Sequence, residues 1–170
     1  MNAIALCGFM GCGKTTVALA LENKFGLKHI DTDKYIEKNE NITISEMFEN
    51  YGESYFRDKA YSAICALSKA KGYVLALGGG AVTFERNVKA LKENGYTLVF
   101  LDTDFEVIKE RLIGDKTRPL LKTNDVEKLY KTRYPIYENA CDVKITCGKE
   151  DAETLCDKII EILKKEGKTP

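Results

Sequence analysis

The apolar residues of this chain fall into two kinds of pattern. Ala3–Cys7 (AIALC) and Tyr73–Leu77 (YVLAL) are short, unbroken apolar runs, which read as strands buried on both faces. Tyr96–Leu101 (YTLVFL) reads the same way, and Lys28–Asp31 and Asp142–Cys147 complete a set of five predicted strands. Between them the apolar positions recur every three or four residues. Val17, Leu21 and Phe25 form a stripe after Lys14, and Phe56, Ala60, Ile64 and Leu67 form another in a helix predicted over 53–70. Shorter helices are expected over 34–39 and 43–50, the second capped by Thr43 or Ser45. Further helices are expected over 84–94, 104–113, 125–140 and 151–165, the last with Leu155, Cys156, Ile159, Ile160 and Leu163 on one face.

Strands alternating with helices imply an α/β domain, a parallel sheet with helices on both faces. The length of 170 residues fits one such domain. In open parallel sheets, ligands bind at the carboxyl ends of the strands, so the residues that follow each strand carry the functional reading.

After the first strand comes Gly8-Phe9-Met10-Gly11-Cys12-Gly13-Lys14-Thr15, a G-x-x-x-x-G-K-[ST] phosphate-binding loop between a strand and a helix. Its glycines let backbone N–H groups close around an anion, and the following helix N-terminus adds to the attraction. Gly11, Cys12, Gly13, Lys14, Thr15 and Thr16 are therefore candidate nucleotide contacts. Lys14 is suited to the β and γ phosphates and Thr15 to Mg²⁺. Cys12 inside this electropositive nest is expected either to react readily as a thiolate or to pack outward and stay inert.

After the second strand come Asp31 and Asp33 on a segment read as extended, where alternation would point both carboxylates to one side. They read either as a pair serving Mg²⁺ and an acceptor hydroxyl, or as caps of the helix expected from Lys34. Gly78-Gly79-Gly80 follows the third strand, where bare backbone N–H groups can approach a ligand. On the helix from 125, Val126, Leu129, Tyr130, Arg133 and Tyr137 share one face. Arg133 is thus directed inward and needs a partner, and Pro135 is expected to kink the helix.

Charge and cysteine content narrow the classes. Lys+Arg and Asp+Glu are 26 each, which argues against a general nucleic-acid or membrane-surface binder. No apolar run approaches the ~18 residues needed to span a membrane. The six cysteines form no C-x-x-C pair, and the chain opens without a basic leader. Reduced, mostly buried thiols in a cytoplasmic protein are expected, and a zinc site is not. His29, the single histidine, reads as a strand residue near the surface.

With these motifs in hand, the chain resembles the shikimate kinases over nearly its whole length. The matching pieces are GFMGCGKTT at 8–16, DTD at 31–33, GESYFR at 52–57, LGGGAVT at 77–83, TRPLL at 117–121 and RYPIY at 133–137, in family order and spacing. The resemblance implies a single P-loop kinase domain over 1–170 with strand order 2-3-1-4-5, a shikimate-binding segment at about 31–60 and a lid at about 112–124. It implies transfer of the ATP γ-phosphoryl to the 3-hydroxyl of shikimate in aromatic amino acid biosynthesis, with Mg²⁺, by a monomer. It also implies residue roles. Asp33 would bind the shikimate hydroxyls as candidate base, and Asp31 would reach Mg²⁺ through water. Arg57, Arg133 and Gly79 would hold the substrate, Arg118 would be the lid arginine over the phosphates, and Arg111 would stack on adenine.

One departure stands out. The family pattern F-R-x-x-E reads Phe56-Arg57-Asp58-Lys59-Ala60 here, which removes the glutamate expected to support Arg57. The rival readings are another small-metabolite kinase, such as a gluconate kinase, a nucleoside monophosphate kinase, and a non-catalytic ATP-binding regulator. No N-K-x-D guanine motif supports a GTPase.

Overall fold

The computed structural model describes residues 3–70, 72–112, 126–148 and 150–168. Five parallel strands form one sheet in the order β2-β3-β1-β4-β5: β1 (Ala3–Cys7), β2 (Lys28–Asp31), β3 (Tyr73–Ala76), β4 (Tyr96–Thr103) and β5 (Val143–Cys147). β1 is central, and its five residues are all buried, as an unbroken apolar run requires in a sheet covered on both faces. The register sets Leu6 beside Ala76 and Asp31 beside Ala76, so the chain leaves β1, β2 and β3 at one common edge.

The helices are α1 (Lys14–Phe25), α2 (Thr32–Glu40), α3 (Ile44–Leu67), α4 (Glu85–Glu93), α5 (Phe105–Leu112), α6 (Val126–Ala140) and α7 (Ala152–Lys165). The five apolar residues expected on α7 are all buried, and α7 lies beside α1. Val17 and Leu21 of α1 are buried too, whereas Phe25 ends the helix and is 39% exposed, because Gly26 turns the chain away in a left-handed cap. Burying a large aliphatic or aromatic side chain of this kind is worth about 1.5–3 kcal/mol, so α1 and α7 hold the phosphate-loop side of the sheet firmly.

Two helices expected over 43–50 and 53–70 are one continuous element, α3, interrupted only at Gly52. There φ is +81°, a left-handed value that glycine adopts without strain. Thr43 caps α3 in a reciprocal box with Glu46. Beyond Gly52, Phe56, Ala60 and Ala63 join Ile36 and Met47 in a small satellite core between α2 and α3. α6 continues through Pro135 as a single helix. A short 3-10 turn at Ala81–Thr83, absent from the sequence reading, links β3 to α4.

Candidate active site

The common strand edge opens into a cavity of about 800 Å³. The phosphate loop, Asp31, Asp33, Arg57, the Gly78–Gly80 turn, Arg111 and Arg133 all line it, so every sequence-predicted site residue within the described chain comes to one place. Arg118 lies outside the described residues, as does most of the expected lid.

Gly13 precedes α1 with φ +100°, which lets the loop fold over the helix N-terminus. Lys14 turns back across the loop, and its Nζ donates to the carbonyls of Gly8 and Phe9, each at 2.9 Å. The Arg111 guanidinium reaches in from the end of α5 and donates to the carbonyl of Gly11 at 3.0 Å. Cys12 does not pack outward as the inert alternative expected. It is buried against Gly8, where a Cβ would come within 2.8 Å of its Sγ, and its Sγ is 3.6 Å from Lys14 Nζ. Its side chain packs inward and is shielded from solvent.

Asp31 and Asp33 are not both on extended chain. Asp31 ends β2 as the N-cap of α2, and Asp33 already lies in the helix's first turn. The two oxygens of Asp31 have separate tasks. Oδ1 accepts from the backbone N–H of Asp33 at 3.0 Å and of Lys34 at 3.3 Å. Oδ2 accepts from the Thr15 hydroxyl at 2.8 Å. A carboxylate oxygen and a hydroxyl side by side on the cavity wall are hard donors of the kind Mg²⁺ takes, so these residues fit that ion. Asp33 is held against the glycine turn: any Cβ at Gly78 would collide with its carboxylate.

The turn after β3 is fixed through side chains. The N–H of Gly78 donates to the Thr32 hydroxyl at 3.0 Å, and the hydroxyls of Tyr137 and Thr83 donate to the carbonyls of Gly79 and Gly80. With these carbonyls engaged, the N–H groups of Gly79 and Gly80 have no partner among the described residues, and both residues line the cavity.

Two arginines flank this turn. Arg57 points across α3, with Nη1 so close to Gly80 that a Cβ there would meet it at 2.7 Å. Its guanidinium sits near the rings of Phe56 and Phe84, at 5.2 and 5.3 Å. Glu53, one turn earlier, accepts from its Nε at 3.0 Å and Nη2 at 2.6 Å. Ala60, where the family glutamate was expected, is a buried residue of the apolar wall. Arg133 is only 8% exposed, as its helix face requires, and it contacts the Tyr137 hydroxyl. Burial drives the Tyr137 pKa up, so this hydroxyl stays protonated and remains a donor.

Comparison with known proteins identifies the family. A family model described as shikimate kinase matches residues 10–164. The chain belongs to the shikimate kinase family. A shikimate kinase of Caldicellulosiruptor bescii is 41% identical over 99% of each chain. One of Persephonella marina is 39% identical over 94% of this chain and 98% of its own. Among solved structures, shikimate kinase from Acinetobacter baumannii in complex with shikimate superposes with a TM-score of 0.92. It is 35% identical and covers 98% of this chain and 94% of that one. A sugar kinase from Janibacter at 17% identity and TM-score 0.63 shares the fold.

Within this family frame, three residues were missed by the sequence reading. Glu53 was legible in principle, because glutamate four residues before arginine on a helix is a pairing signal. The hydroxyl of Tyr137 was on the predicted inward face but had been given no task. Asn87, on α4, also lines the cavity and carried no sequence signal at all.

Proposed function

We propose that this chain transfers the γ-phosphoryl group of ATP to the 3-hydroxyl of shikimate, acting as a cytoplasmic monomer. The observation that carries the reading is the single cavity with a phosphate loop at one end and a two-arginine clamp around bare N–H groups at the other. The two ends suit a nucleotide triphosphate and a small acid.

In this reading the loop N–H groups and Lys14 hold the phosphates, with Lys14 exchanging its carbonyl contacts for β and γ oxygens. Thr15 and Asp31 would hold Mg²⁺, Asp31 through water. The ion would neutralise phosphate charge during transfer. Arg57 offers the substrate carboxylate its Nη1 side, because Glu53 already occupies the Nε edge. Arg133 and the N–H of Gly79 complete the acid-binding end. Asp33 then orients the acceptor hydroxyl and takes its proton. Arg111 stays by the loop near the nucleotide, and Arg118 is assigned to the phosphates on family resemblance.

Positioning and charge stabilisation do most of the work in phosphoryl transfer, so a preformed clamp is the feature the reaction needs. Release of ADP, measured with shikimate, gluconate and a nucleoside monophosphate as separate acceptors, tests the reading. Turnover confined to shikimate is expected, and turnover with either of the others alone overturns it.

A further inference from the structure

Thr103 is the last residue of β4 and is 2% exposed. Its hydroxyl donates to the carbonyl of Cys12, inside the phosphate loop, at 3.2 Å. A hydroxyl has one proton to give. The other acceptor beside it is the thiol of Cys147, the partner of Thr103 across the sheet. Sulfur is the weaker acceptor, and that thiol is turned to the carbonyl of Ile145. Thr103 is β-branched, so few directions are open to its hydroxyl. Tyr130 of α6 holds the same residue by its backbone. The Tyr130 hydroxyl donates to the Thr103 carbonyl at 3.2 Å, and its ring meets Phe9 of the loop edge-on at 5.3 Å.

Among the described residues, three side chains hold carbonyls of the phosphate loop. Lys14 holds those of Gly8 and Phe9, and Arg111 holds that of Gly11. Both are cations that the reading above assigns to the nucleotide, and Lys14 gives up its carbonyls for phosphate oxygens. Thr103 is neutral and buried and has no such second task. Its bond also sets a direction. The carbonyl of Cys12 and the N–H of Gly13 belong to one planar trans peptide, so they point opposite ways. With the carbonyl drawn to β4, the Gly13 N–H is turned away from it. That N–H has no partner among the described residues, and Gly13 lines the cavity. Gly13 sits at φ +100° with no Cβ to restrict its backbone, so the peptide before it needs an outside hold.

We infer that Thr103 is a positioning residue of the phosphate loop, whose hydroxyl fixes the Cys12–Gly13 peptide so that the Gly13 N–H is presented to the phosphates of the bound nucleotide. The inference rests on the nucleotide reading above and adds to it a residue that the loop motif does not contain. Thr103 itself touches no substrate. It acts by ordering that peptide before the nucleotide arrives, which removes a cost of binding. The phosphates feel this order, and the base and ribose do not.

The test uses the intact enzyme. Thr103→Val keeps the shape of the side chain and removes the hydroxyl. Its Kd for Mg-ADP, measured by calorimetry, should rise roughly five- to thirtyfold. Adenosine, used as a competitor of Mg-ATP, carries no phosphate for the loop to hold. Its inhibition constant and the shikimate Kd should stay within about twofold of wild type. Thr103→Ser keeps the hydroxyl and should bind Mg-ADP within about threefold of wild type. Thr103→Ala leaves the same gap without the hydroxyl, so the ratio of Thr103→Ala to Thr103→Ser carries the test if Thr103→Val does not fold. An unchanged Mg-ADP constant in Thr103→Val overturns the inference, as does equal Mg-ADP binding by Thr103→Ala and Thr103→Ser. Equal losses for Mg-ADP and adenosine also overturn it, because they would make Thr103 a support of the fold alone. Wild-type enzyme that binds no Mg-ADP would instead overturn the nucleotide reading beneath it.

Discussion

Glu53 holds Arg57 by the Nε edge of its guanidinium, one helical turn away, and leaves the opposite side facing Gly80 and the cavity. The pairing bears on the departure from the family pattern at Ala60. A supporting carboxylate is present, but it comes from the residue after Gly52 instead of from position 60.

The first prediction follows from that substitution of partners. Glu53→Ala should raise the shikimate KM with little change in kcat. Glu53 is 55% exposed, so solvent screens the pair and the rise should be modest, about two- to fivefold. Ala60→Glu introduced into the Glu53→Ala variant should recover most of the loss, since position 60 lies three residues after Arg57 on the same helix. No recovery in a folded double variant would show that position 60 cannot reach the clamp.

Asp31 carries a cap with one oxygen and a hydroxyl partner with the other, so its two roles can be separated. Asp31→Asn keeps an acceptor for the α2 N–H groups, and its melting temperature should stay within a few degrees of wild type. The Mg²⁺ concentration for half-maximal turnover should rise clearly. Asp31→Ala should lose the cap as well, at a cost of about 1 kcal/mol in denaturant unfolding. An unchanged Mg²⁺ requirement in Asp31→Asn would reduce Asp31 to a cap.

Asp33→Asn should lower turnover about 10²–10⁴-fold while leaving the nucleotide dissociation constant nearly unchanged. Asp33 is held at the glycine turn and not at the phosphate loop, so nucleotide binding should not depend on its charge. Retention of most turnover would remove it from the chemistry.

The sequence carried most of this site because its parts depend on chain-local rules. The phosphate loop needs a fixed spacing between a strand and a helix, and Arg133 shares a helical face with Tyr137. Both could be read without tertiary information. What could not be read depended on turns and on non-local packing. Asp33 was placed on extended chain because α2 begins two residues earlier than its polar pattern suggested. Asn87 bonds the carbonyl of Ala81, at the start of a 3-10 turn that its sequence did not announce. The burial of Cys12 between Gly8 and Lys14 depends on how the loop folds, and spacing says nothing about that.

The burial of Cys12 leads to a prediction opposite to that expected of an exposed thiol in an anion-binding nest. Brief alkylation followed by mass-spectrometric mapping should label Cys65 and Cys141, which are partly exposed, before Cys12. Labelling of Cys12 should be slow with and without Mg-ADP. Rapid labelling that nucleotide blocks would mean that the thiol turns outward in solution.

The most direct measurement is product identification in a mixed-acceptor reaction. The enzyme is incubated with ATP, Mg²⁺ and equal concentrations of shikimate, gluconate and a nucleoside monophosphate, and the products are resolved by mass spectrometry and phosphorus NMR. Phosphate carried on the 3-oxygen of shikimate, with the other acceptors unmodified, is the predicted result. Phosphorylated gluconate or a nucleoside diphosphate made from the monophosphate, with shikimate untouched, would contradict the assignment of the arginine clamp and with it the proposed reaction.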